Sequence, residues 1–204
     1  MKIKILVEGR TEVAFKPYLI EFLKNHLQDR MPRLKFWSYD GRIPKEEKLQ
    51  RVVANLLSGR DACDHVIALT DVYTGTPDFD DAEDAKLKMR HWVGDEERFH
   101  PHVANHDFEA WLLPYWHSIQ RLTGQKRNAP TGAPETVNHT KPPAYRIKEI
   151  FELGVPHGNC RSYVKPRDAG SILRENDLSV TINACPELKL FVNTIITLSG
   201  GIPL

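Results

Sequence analysis

The feature that most constrains this chain is an alternation: a short apolar run, then a longer segment with helical spacing, four times in succession. Ile3 to Val7, Leu34 to Tyr39, His65 to Thr70 and His100 to Asn105 read as strands. The third is nearly all apolar, as a strand buried on both faces of a parallel sheet would be. Between them, Phe15, Leu19, Phe22, Leu23 and Leu27 share one helix face, and Pro17 inside that pattern predicts a kink or a separate first turn. Asp40-Gly41 marks a turn and Pro44 fits a helix start. Leu49, Val52, Val53, Leu56 and Leu57 then line a helix that stops at Gly59. Further helices are predicted from Asp81 to Trp92 and from Asp107 through Leu122, the latter interrupted by Pro114. This pattern specifies an α/β fold, a four-stranded mainly parallel sheet flanked by helices.

The remaining residues form a smaller unit. Residues 1–122 are expected to hold the sheet domain. Residues 123–143, rich in Gly, Pro, Asn and Thr, read as a loop or linker. Residues 144–204 read as a small helical extension packing on the sheet domain, with a helix from Tyr145 to Leu153 and apolar clusters at Ile172–Leu173 and Leu188–Leu198. No apolar run approaches the ~18 residues that span a membrane. The first strand runs directly into charged sequence and is not a signal peptide. Cys63, Cys160 and Cys185 are widely spaced with no CxxC, so neither a zinc ribbon nor a disulfide framework is suggested; a cytoplasmic protein is expected. His100, His102 and His106 lie close together, but no Cys completes a zinc spacing. Trp37, Trp92, Trp111 and Trp116 read as core or helix-face residues.

The acids are informative because of where they fall. Glu8 lies past the first strand, Asp71 past the third, and Asp107 and Glu109 past the fourth. Each has an ordinary explanation on its own: Asp107 as an N-cap, Glu109 and Glu12 as first-turn acids at a positive helix end. Together they occupy the carboxyl edge of an open parallel sheet, where ligands bind. Oxygen-only ligands suit Mg²⁺ or Mn²⁺, and like charges at close quarters repel unless a cation lies between them. The stretch 141–174 carries seven Lys or Arg against three acids, although the whole chain is only +1. An acidic centre with a basic flank suits phosphodiester chemistry.

At these residues the sequence resembles a known family. Val7-Glu8-Gly9-Arg10-Thr11-Glu12 looks like the VEGxTE signature of Toprim domains, especially of the OLD-like nucleases. Thr70-Asp71-Val72-Tyr73 and His106-Asp107-Phe108-Glu109-Ala110-Trp111-Leu112-Leu113 resemble motifs of a family of small stand-alone bacterial Toprim proteins, a domain of unknown function. Lys141-Pro142-Pro143-Ala144-Tyr145-Arg146-Ile147 and His157-Gly158 resemble its C-terminal landmarks. The resemblance implies a Toprim (Rossmann-like) fold and a metal-dependent nuclease acting on DNA or RNA. Glu8, Glu12, Asp71, Asp107 and Glu109 would be the Mg²⁺ or Mn²⁺ ligands. Glu8 and Asp71 would be catalytic, with Lys165 or Arg167 on the phosphate oxygens. Arg10, Lys141, Arg146, Arg161, Lys165 and Arg167 would bind nucleic acid. Tyr73 stands where the second acid of a DxD pair is expected, so Asp107, Glu109 or a folded-back Asp78 would complete the site. The alternative is a non-catalytic module that binds nucleic acid or an ATPase. The chain has no GxxxxGK[ST]. By analogy a separate ABC- or AAA-type ATPase partner and a role in antiphage defence are expected; the oligomeric state is left open.

Overall fold

Strands β1 (Lys2–Val7), β2 (Arg33–Ser38), β3 (His65–Val72) and β4 (Phe99–Asn105) pair in the order β2-β1-β3-β4, with every pair parallel. This is seen in a computed structural model that describes residues 1–72, 78–136, 141–154 and 162–204. Helices α1 (Arg10–Leu27), α2 (Glu46–Ser58) and α3 (Ala82–Val93) are the three crossovers. The chain steps from β1 to β2 in one direction, then returns past β1 to β3 and on to β4. Crossovers of one hand must therefore place α1 on one face and α2 and α3 on the other. The packing agrees. Ile3, Ile5, Val7, Ile67 and Leu69 share a buried cluster with α1, whereas Leu6, Val66, Ala68, Val72 and Val103 share another with α2 and α3. Alternate strand residues serve opposite faces, as the pleat requires.

Helices α4 (Trp116–Thr123), α5 (Pro143–Gly154), α6 (Lys165–Arg174), α7 (Leu178–Ala184) and α8 (Pro186–Leu198) follow. Their apolar residues, including Ile119, Ile147, Phe151, Ile172, Ile182 and Phe191, join the α1 cluster. No helix of the described residues is long and apolar enough to cross a membrane.

Local chemistry moves several expected boundaries. Helix α1 runs unbroken through Pro17, so no separate first turn exists. Pro17 is exposed, while Phe15, Leu19, Leu23 and Leu27 are buried beneath the helix and hold it against the sheet. Helix α2 begins at Glu46, two residues after Pro44. The helix expected from Asp107 is a 3₁₀ turn over Phe108–Tyr115 that passes into α4. Pro114 offers no N–H, and the tighter winding frees carbonyls that other segments satisfy: Thr181 Oγ1 donates to the Trp111 carbonyl at 2.6 Å. The stretch read as a loop holds a short 3₁₀ turn, Pro134–Thr136. Its buried Glu135 accepts hydrogen bonds from Trp111 Nε1 and from the Glu187 backbone N–H at the start of α8, both 2.9 Å. Trp37 departs from its expected burial and is 45% exposed.

Candidate functional site

The chain reverses its direction of travel between β1 and β3, which makes the carboxyl edge of those strands a topological switch point, where open α/β sheets bind ligands. Glu8 and Asp71 stand there. Asp71 lies within β3, one residue before its end, and not past it. The two strands are tied by Glu8: its Oε1 accepts from Thr70 Oγ1 and from the Asp71 backbone N–H, the latter at 3.3 Å.

Glu12 enters from the first turn of α1, and Asp107 and Glu109 from the turn after β4. The turn is fixed by aromatic packing. Phe108 and Trp111 meet Phe15 of α1 with ring centroids 5.5 and 5.9 Å apart, and each other at 5.3 Å. Such pairs contribute about 0.5–1.5 kcal/mol each beyond simple burial. They leave Glu109, between the two rings in sequence, committed to the sheet edge. His106, at φ 70°, supplies the left-handed residue that turns the chain.

All five acids are buried. Glu8, Glu12, Asp71 and Glu109 line one cavity of about 180 Å³ together with Lys165. Asp107 is beside them but turned toward α5, where its Oδ2 accepts from the Ala144 backbone N–H at 3.1 Å. That hydrogen bond gives the Lys-Pro-Pro-Ala-Tyr stretch a physical role: Pro143 begins α5, and the helix end meets a carboxylate. Among the described residues, Asp107 Oδ1 is buried without a hydrogen-bond partner.

The electrostatics follow from this crowding. Burial, then the charges of Glu8, Glu12, Asp107 and Glu109, raise the Asp71 carboxyl well above the usual carboxylate range. Glu12 is pushed up to about 6 by burial, with Glu8 and Glu109 adding to it. Asp107 is pushed up to about 7 by burial and Glu109. Burial raises Glu8 as well, although Thr70, Asp71, Arg42 and Lys45 oppose it.

Lys165, at the start of α6, reaches Glu109 Oε2 at 3.1 Å, and Tyr163 donates to Glu109 Oε1 at 3.2 Å. Burial works against the Lys165 ammonium, but Glu109, Asp107 and Asp71 more than offset it and raise its pKa.

The other basic residues expected at the site lie elsewhere. Arg167 is taken up by its neighbour Asp168, through Nε and Nη2 at 2.9 Å each, because the buried Asp168 carboxylate needs a counter-charge. Lys141 and Arg146 approach Glu149 at 4.0 and 3.7 Å, and Lys141 also lies 5.1 Å from the centre of the Tyr145 ring. Arg10 faces Asp40 at 3.5 Å, with both side chains exposed. Arg161, His157, Gly158 and Tyr73 are outside the described residues.

Asp78 does fold back. It lines a second, smaller cavity with Glu8 and Asp71 but is engaged there by Arg42 and by Lys45, the latter at 2.5 Å. Arg42 and Lys45, on the turn after β2, had no motif to mark them. The one available signal was their position after a strand, at the edge already singled out for acids.

The histidines are structural in placement. His65 Nδ1 meets His100 Nε2 at 3.2 Å, and His102 packs on Phe191, with burial pushing it down to about 3. Cys63 and Cys185 are buried and free.

Among the described residues no three His, Cys, Asp or Glu side chains stand disposed to hold an ion as they are placed. The donor set nevertheless fits a hard divalent cation: it is all carboxylate, it is buried, and it includes an oxygen on Asp107 that has no partner among the described residues.

Residues 7–196 match the family described as Domain of unknown function (DUF4276), and the chain belongs to it. Among curated proteins none matches. The fold is similar to the C-terminal region of the Burkholderia pseudomallei OLD protein, at 16% identity and a TM-score of 0.55, covering 97% of this chain and 98% of that one. A second similar structure, the C-terminal region of the Xanthomonas campestris pv. campestris OLD protein, has 17% identity and a TM-score of 0.45, covering 98% and 96%.

Proposed function

We propose that this member of the DUF4276 family carries a Toprim-type site and is a Mg²⁺- or Mn²⁺-dependent nuclease that hydrolyses phosphodiester bonds of DNA or RNA. The observation that carries the reading is the gathering of Glu8, Glu12, Asp71 and Glu109 around one cavity at the switch point, with Lys165 as the cation facing it. Buried acids that raise one another's pKa are costly to a fold, and such clusters are characteristic of functional sites.

Glu8, Asp71 and Glu109 would hold the cation, with Glu12 and Asp107 as further ligands. A divalent ion bound there would supply Lewis acidity toward the phosphate and a more acidic water. The chain's own groups do the rest. Thr70 and the Asp71 backbone N–H fix the direction of the Glu8 carboxylate. Tyr163 holds Glu109 from one side, which leaves Lys165 able to exchange Glu109 for a phosphate oxygen and offset negative charge developing on it. Phe108 gives the cavity one apolar side.

An ATPase acting in trans, and a role in antiphage defence, belong to the same proposal and rest on the sequence resemblance. The test is cleavage of plasmid DNA, single-stranded DNA and tRNA with Mg²⁺ or Mn²⁺. Cleavage lost on chelation and in Glu8→Gln and Asp71→Asn supports the assignment; activity unchanged in those variants sinks it.

A further inference from the structure

The acids of the switch point have cations on two sides, and among the described residues Lys165 is the one that belongs to the acid cavity. On the other side, the turn after β2 brings Arg42 and Lys45 against Glu8 and Asp71, with Thr70, Phe79 and Trp92 completing the walls. The turn is sharply shaped: Asp40, Gly41 and Glu46 all have positive φ (47°, 156° and 51°). It is anchored to β1, since the Gly41 N–H donates to the Glu8 carbonyl at 2.8 Å and the Tyr39 N–H to the Val7 carbonyl at 3.1 Å. The two cations share one carboxylate, Asp78, which fixes the direction of both. Lys45 also lies 5.8 Å from the centre of the Phe79 ring, which limits its freedom further. The enclosed space between this trio and the acids is about 10 Å³, room for a water at most. The two side chains are nevertheless partly accessible, 47% for Arg42 and 35% for Lys45. An anion meeting them must therefore sit on their accessible surface, beside the acid cavity and not inside the enclosed space.

We infer that Arg42 and Lys45, oriented by Asp78, form a subsite for a second backbone phosphate of a nucleic acid strand, adjacent to the phosphate being cleaved at the acids. The inference rests on the nuclease reading for what happens at the acids, but the subsite itself is a binding claim. It makes the preferred substrate a strand with consecutive phosphates, not an isolated phosphodiester. Arg and Lys held in position against a single phosphate supply charge-assisted hydrogen bonds that a mobile surface lysine does not.

The direct test is fluorescence anisotropy with labelled single-stranded DNA and RNA oligonucleotides of one sequence, in chelator and in Ca²⁺. The double variant Arg42→Ala/Lys45→Ala is expected to bind about tenfold more weakly, with a salt dependence shallower by about 0.7 because one phosphate is no longer neutralised. Arg42→Gln alone should show the same direction if the double variant folds poorly. Lys24→Ala, on α1, is the control. Unchanged affinity and salt dependence, or an equal loss in the control, overturns the subsite. Where the wild type cleaves, kcat/KM on the oligonucleotide should fall at least about tenfold more than on bis(p-nitrophenyl) phosphate, mainly through KM. An equal fall on both substrates also overturns it. A wild type that binds through Arg42 and Lys45 yet cleaves nothing with any metal leaves the subsite standing and removes the nuclease reading.

Discussion

The two ends of the sheet handle charge in opposite ways. At the amino end, Lys2, Lys4 and Lys35 surround Asp61, with Lys4 and Lys35 at 3.5 and 3.1 Å. Hydrogen bonds from Lys2 and Lys35 hold the Asp61 carboxyl well below its usual range. Every charge there has an opposite neighbour, and Asp61 remains open to water. At the carboxyl end, five acids are buried with Lys165 on one side and Arg42 and Lys45 on the other, yet Glu8, Glu12, Asp71 and Asp107 are all displaced upward. The amino end is settled as folded. The carboxyl end stores an electrostatic cost that a bound cation would relieve, and this contrast separates a structural charge cluster from a site.

The largest expected effect comes from exchanging acids for amides at the two ends. Glu8→Gln or Asp71→Asn should lower metal-dependent cleavage by about a thousandfold or more. In metal-free buffer at pH 8, Asp71→Asn should raise the melting temperature, because a buried carboxyl crowded by four other acids is removed. Asp61→Asn should leave cleavage intact and lower the melting temperature slightly. If both exchanges behave alike in calorimetry, the contrast is broken.

Lys165→Ala should cost about a hundredfold in kcat, the loss typical of a donor to developing charge. Arg167→Ala should change activity per folded molecule less than about threefold. Its effect should emerge as a lower melting temperature, since the buried Asp168 loses its counter-charge.

A smaller effect is pH-linked. Glu12 and Asp107 titrate near 6 and 7 in the folded chain, above their unfolded values. The folded, metal-free protein therefore holds protons that the unfolded chain releases. The stability these protons confer is present at pH 4 and is lost as pH rises through 6 and 7. Metal must displace them. The rise in melting temperature on adding Mg²⁺ should be near zero at pH 5 and full by pH 8, with apparent affinity rising about tenfold per pH unit for each proton displaced. A shift independent of pH would remove these two acids from the site.

Much of this was legible in the sequence because strands and their following turns have local signatures. The alternation of apolar runs and helical spacing marked four parallel strands, and the acids at the carboxyl ends of β1, β3 and β4 converge because the sheet order brings those strands side by side. Arg167 illustrates what was not legible. Its charge pointed to phosphate, but a buried Asp168 one residue away claimed it, and burial is a tertiary property. Lys165, two residues earlier, reaches Glu109 only because α6 packs against α1 beside the site. Arg42, Lys45 and Asp78 are joined across the gap between the β2 turn and the segment before α3, a meeting no spacing rule encodes.

The central claim is that the carboxyl-edge acids form one cation site. Isothermal titration of Mn²⁺ into the wild type, Glu8→Gln and Asp71→Asn at pH 8 tests it most directly. Saturable binding to the wild type is predicted, lost or weakened at least about tenfold in each variant. Binding that is absent from the wild type, or equal in all three proteins, contradicts it.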